Sequence, residues 1–89
     1  MGKSNSDTIH KILTKFKPEP YIKKIRCGFD THYDGTMILK CDFTIEKQKL
    51  GNRTVNNERL VAHSKELANK IKRETKLPIK HTQTSITYL

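Results

Sequence analysis

Residues 22–46 read IKKIRCGFDTHYDGTMILKCDFTIE, and the fold turns on this stretch. In its second half Met37, Leu39, Cys41, Phe43 and Ile45 are apolar. Lys40, Asp42, Thr44 and Glu46 between them are polar, and only Ile38 breaks the alternation. A period of two sends alternate side chains to opposite sides of a sheet, so this half predicts a strand with one buried face and one wet face. The first half, from about Tyr21 to Thr31, alternates Ile25, Cys27 and Phe29 with Lys24 and Arg26. It predicts a second strand, joined to the first at Asp34-Gly35. A two-residue Asp34-Gly35 turn would set Cys27 opposite Asp42 and put apolar against polar along the ladder. A three-residue Tyr33-Asp34-Gly35 loop, with Gly35 left-handed as a bulge, shifts the pairing by one. Phe29 then faces Leu39, Cys27 faces Cys41 and Ile25 faces Phe43, while Arg26 lies opposite Asp42 and Gly28 opposite Lys40. The three-residue loop is the expectation, because the shorter turn leaves one arm inside out.

Working outward, residues 1–5 read as a flexible polar tail. Ile9, Ile12, Leu13 and Phe16 fall at i, i+3, i+4 and i+7, one apolar face of a short helix. Pro18 and Pro20 end it. Beyond the hairpin, residues 47–56 form a polar connection bending at Leu50-Gly51-Asn52. Extension of the second strand through Lys47 and Gln48, and a short return strand at Arg53 to Val55, are both open. A long helix begins near Asn56, with Val55 and Leu60 placed for a hydrophobic staple and Leu60, Ser64, Leu67, Ala68 and Ile71 on one stripe. Pro78 closes it. Residues 79–89 are rich in threonine and uncharged beyond Lys80, which argues for a final strand, though its alternation is poor. The expectation is one small α+β domain over residues 1–89, in the order α-β-β-α-β. Its sheet would be antiparallel, of three or four strands, with helices on one face.

At 89 residues, with Leu, Ile, Val and Phe about a quarter of the chain, the core is thin. The net charge of +9 favours an anionic partner. That charge is uneven: residues 21–46 carry four basic and four acidic side chains, whereas residues 47–80 carry ten and three. The hairpin is therefore neutral, and the positive field belongs to the connection and the long helix. Lys65, Lys72 and Lys76 make one row beside the apolar stripe. Arg59, Lys70 and Arg73 make another, diluted by Glu66 and Glu74. The expected function is a non-enzymatic nucleic-acid-binding module, for DNA or RNA. Lys47, Lys49 and Arg53 of the connection and Lys65, Lys72, Arg73 and Lys76 of the helix would contact phosphate, with loop and helix end reaching one surface. The alternatives are a protein-interaction module, an inhibitor or adaptor of viral or mobile-element type that pairs or self-associates through its final strand, and a lipidated peripheral protein.

The lipid reading rests on Gly2 and Ser6, which match the M-G-x-x-x-[ST] pattern for N-myristoylation. This start resembles the N-termini of neuronal calcium-sensor proteins as far as Ser6, and no spaced acidic calcium loop follows. No apolar run has membrane-spanning or signal-peptide character, so a cytoplasmic location, or a nuclear one in a eukaryotic cell, is expected, with membrane contact only through an acylated Gly2. Cys27 and Cys41 read as two small core residues. A disulfide is disfavoured in a reducing cell, and zinc would need two further ligands. His10, His32, His63 and His81 are scattered. His32 sits near Asp30 and Asp34, where turn conformation alone accounts for the acids. Small basic ribonuclease toxins are similar in length and charge, but no nucleophile–base pair matches a catalytic motif. No RNP motif, zinc finger or phosphate loop is present, and nothing calls for a cofactor or a metal.

Overall fold

The computed structural model describes residues 5–52 and 54–89. The expected acylation site at Gly2 and the expected phosphate contact at Arg53 lie outside the described residues.

The hairpin forms in the register that joins apolar to apolar. β1 (Ile22–Thr31) and β2 (Met37–Ile45) run antiparallel with Phe29 opposite Leu39, Cys27 opposite Cys41, Ile25 opposite Phe43 and Arg26 opposite Asp42. The loop has the expected chemistry. Gly35 has φ +88°, a conformation costly for any residue with a Cβ, and its N–H donates to the His32 carbonyl at 3.0 Å. Asp34 Oδ1 accepts from the Thr36 N–H at 3.0 Å and from Thr36 Oγ1 at 2.7 Å.

β2 does not continue past Ile45. Lys47–Leu50 is a turn of helix, α2, in which the Lys49 and Leu50 N–H groups donate to the Glu46 carbonyl. The turn swings Leu50 into the core, where it is 9% exposed, and a continued strand would not do so. Residues 54–56 are not strand, so no fourth strand forms among the described residues. α3 (Asn57–Thr75) starts at Asn56, whose side chain accepts from the Arg59 N–H at 3.2 Å. It buries Leu60, Ser64, Leu67, Ala68 and Ile71. Lys76 ends it in the left-handed conformation, φ 62°, with its N–H donating to the Lys72 carbonyl at 2.9 Å.

The final strand corrects the expectation of an antiparallel sheet. β3 (Ile79–Tyr88) pairs with β2 in parallel, giving a three-stranded mixed sheet ordered β1-β2-β3. The reason is the intervening helix. α3 carries the chain back to the end of the sheet where β2 began, so Ile79 pairs with Met37 and both strands leave in one direction. On β3 the half-buried Thr82, Thr84 and Ile86 alternate with exposed His81, Gln83, Ser85 and Thr87.

Both long helices lie on the side of the sheet that carries Leu39, Cys41, Phe43 and Ile45. α3 packs on β3 and β2, and α1 (Asn5–Lys15) packs on α3 and brings Ile9, Ile12 and Leu13 to the core. α1 includes Asn5, which the sequence reading put in the tail. β1 lies beyond the cover of α3, so Ile25, Cys27 and Phe29 remain half-buried. No described helix is long and apolar enough to cross a membrane.

Candidate nucleic-acid interface

The two lysine rows of α3 meet different fates. On the α1 side, Glu19 in the segment between α1 and β1 accepts from Arg59 Nε at 2.6 Å and lies 3.3 Å from His63 Nε2. Lys70 Nζ sits 5.2 Å from the centre of the Phe16 ring. Those cations secure the α1–β1 segment against α3.

On the β3 side, Lys65 and Lys72 line a groove of about 390 Å³ between the helix and the strand. Lys80, His81 and Thr82 of β3 form its opposite wall, with Asn69 between the lysines. No acidic side chain lines it. Among the described residues Lys65, Lys72 and Lys80 form no ion pair. The α-helical period explains the pairing of Lys65 with Lys72, since positions seven apart return to one side of a helix. Three ammonium groups, a histidine, an amide and a hydroxyl around one concavity can hold phosphoryl or carboxylate oxygens.

The expected loop contribution is placed elsewhere. Lys47 and Lys49 sit on α2, at the N-terminal approach to α3, whereas Lys72, Arg73 and Lys76 occupy its far end. A helix of 19 residues spans about 28 Å, so loop and helix end do not form one patch. Lys47 Nζ lies 5.4 Å from the centre of the Tyr88 ring, and Lys49 pairs with Glu46 at 3.2 Å. Lys76, at the left-handed cap, departs from the helical row. Arg73 does not line the groove. The residues that sequence reasoning missed are Lys80 and His81. The available signal was Lys80-His81 directly after Pro78, at the start of the strand that must return alongside the helix.

A larger concavity, about 730 Å³, lies between the end of α1, the start of β1 and α2. Its wall mixes Lys17, Lys23, Lys24 and Lys49 with Glu19 and Glu46, so it lacks a field of one sign. The uncovered face of the sheet also mixes charges of both signs. Asp42 accepts from Ser85 Oγ at 2.9 Å and from Thr87 Oγ1 at 3.1 Å, and Lys40 pairs with Asp30 at 2.7 Å. Arg26 lies opposite Asp42 in the ladder, but the Asp42 carboxylate is taken by the two β3 hydroxyls.

Cys27 and Cys41 face each other with their sulfurs 3.8 Å apart, and both are free thiols. The pair titrates as a unit. The Cys27 S–H donating to Cys41 holds Cys41 below the usual thiol range, and the same bond, together with burial, pushes Cys27 up. Among the described residues no group of three His, Cys, Asp or Glu is placed to hold a metal ion.

No family model matches the chain, and no curated protein matches it. A solved structure titled MamM V260R shares the fold, with a TM-score of 0.52 over 98% of this chain and 100% of that one, at 7% identity. At that identity the likeness is one of fold, and the chain is a small α+β domain with a mixed three-stranded sheet.

Proposed function

We propose that this chain is a small, non-enzymatic nucleic-acid-binding module, cytoplasmic or nuclear, that takes backbone phosphates in the α3–β3 groove. One observation carries the reading: Lys65, Lys72 and Lys80 surround one concavity that has no acidic wall. Lysines of one sign along one concavity favour an anionic occupant. Binding is directed to the backbone, because no Phe, Tyr or Trp side chain lines the groove to stack bases. A titration of single-stranded and duplex oligonucleotides against salt tests it. Three phosphate contacts give a slope of log K on log salt near −2 for a single strand and near −3 for a duplex. Absence of binding at low salt defeats the proposal.

A second reading follows from the place of β3 at the sheet edge, where its outer backbone groups are open to pairing with a partner strand. The backbone groups of Thr82, Thr84 and Ile86 point outward, so a stoichiometric protein partner that survives nuclease treatment, and is lost when proline replaces Ile86, would favour it.

A further inference from the structure

The thiols of Cys27 and Cys41 are used by neither reading. Counting along the ladder from the hydrogen-bonded pair His32–Thr36 puts Cys27 and Cys41 at a non-hydrogen-bonded position. Side chains come closest there, with Cα atoms about 4.5 Å apart, inside the range a disulfide spans. The two sulfurs already touch at 3.8 Å. Access is asymmetric: Cys41 on the central strand is 1% exposed, whereas Cys27 on the edge strand is half-buried because α3 covers β2 and β3 but not β1.

We infer that Cys27 and Cys41 form a thiol–disulfide exchange site, in which Cys27 meets a small-molecule disulfide and Cys41 resolves the adduct. Cys41, the more acidic thiol, ionises first and takes the Cys27 proton across the 3.8 Å contact as the Cys27 sulfur attacks one sulfur of the disulfide RS–SR. The S–S bond breaks, one RS⁻ leaves and takes up a proton, and Cys27 carries a mixed disulfide. Cys41, as thiolate, then attacks Cys27 Sγ and expels the second RS⁻, which is protonated in turn. The protein loses two electrons and two protons, and the small disulfide departs as two thiols. A thiophilic metal is the weaker occupant, because among the described residues no third His, Cys, Asp or Glu joins the two sulfurs to complete a ligand set. The oxidised form ties the edge strand β1 to the central strand and closes a loop of about 15 residues, which raises Tm by about 12–24 °C.

The test treats the full chain with oxidised glutathione under native conditions, followed by intact mass and non-reducing peptide mapping. The expected product is a monomer about 2 Da lighter with Cys27 joined to Cys41, a raised Tm and full reversal by dithiothreitol. C27S should gain no glutathione, since the remaining thiol is buried. In C41S, checked for folding by circular dichroism, the adduct should persist on Cys27. If C41S does not fold, trapping of the wild-type adduct at early times replaces it, with its position on Cys27 expected. A stable adduct on the wild-type chain, a disulfide-linked dimer through Cys27, first attack at Cys41 or no reaction would each overturn the inference.

Discussion

Ser64 Oγ and Thr84 Oγ1 lie 2.7 Å apart, joining the buried face of α3 to the inner face of β3. Ser64 donates its own proton to the Leu60 carbonyl at 3.1 Å, which makes Thr84 the donor between the two. Ser64→Ala strands the Thr84 hydroxyl in a half-buried place and is expected to cost about 1–2 kcal/mol. Replacing both, Ser64→Ala with Thr84→Val, removes the orphan and should be less destabilising than the sum of the two single changes. Urea denaturation of the four proteins measures the coupling, and strict additivity would refute it.

Glu19 fixes the segment between α1 and β1 to α3. Its carboxylate meets both Arg59 and His63, and the side chain is 11% exposed. Glu19→Gln keeps the shape and removes the charge. With Arg59 open to solvent, the loss is modest, about 1 kcal/mol. Proteolysis near Pro18 should quicken at the same time. An unchanged digestion pattern and midpoint would show that the apolar contacts of Phe16 and Tyr21 suffice.

Two residues with positive φ predict opposite outcomes. Lys76 occupies a left-handed position without being glycine, so Lys76→Gly should stabilise the fold by about 1 kcal/mol. Gly35 occupies one as glycine, so Gly35→Ala should cost about 1–2 kcal/mol. Thermal midpoints decide both, and a shift of the same sign in the two variants contradicts the backbone geometry.

The hairpin turn carries a pH dependence. Hydrogen bonds from the Thr36 hydroxyl and N–H hold the Asp34 carboxyl below its ordinary value. A depressed carboxyl contributes stability that is present above the unfolded value and is lost as pH falls through the folded one. The turn should therefore loosen in acid, from about pH 4 downward, and Asp34→Asn should blunt that loss. A carbon-detected NMR titration of the Asp34 carboxyl reads the direction, and an elevated midpoint would contradict it.

Charge reversal separates the groove from the loop. Lys65→Glu with Lys72→Glu should weaken oligonucleotide binding by at least about ten-fold and flatten the salt slope by about one or two. Lys47→Glu with Lys49→Glu should change affinity by less than about three-fold, since one ammonium rests on Tyr88 and the other on Glu46. Equal losses in the two double variants would relocate the interface.

The hairpin was legible to the residue because a wrong register would have exposed Phe29 or buried Asp42, and a period of two has no compromise between those outcomes. The N-cap at Asn56 and the buried stripe of α3 were legible for the same kind of reason. The direction of β3 was not. Its inward positions hold threonine at 82 and 84, where the sheet of most small domains holds an aliphatic residue, so its alternation has little hydrophobic contrast. The hydroxyls are explained only by partners distant in sequence: Ser64 for Thr84 on the inside, Asp42 for Ser85 and Thr87 on the outside. The groove was half legible. Lys65 and Lys72 could be seen on one helix row, but Lys80 and His81 join them only through the parallel return of the strand. The supposed alliance of loop and helix end failed on length, because a charge count along the chain carries no record of the span of the intervening helix.

The parallel docking of β3 has a consequence for when this protein becomes competent. Asp42 and Ser85, side by side on the finished sheet, are 43 positions apart in the chain. Hairpin and helix are assembled from near neighbours, and the strand that supplies the second wall of the groove leaves the ribosome after them. Until it docks, Lys65 and Lys72 stand on a helix beside an open space. The groove is thus a read-out of completed folding, and a chain stalled before β3 is in place has only one of its two walls.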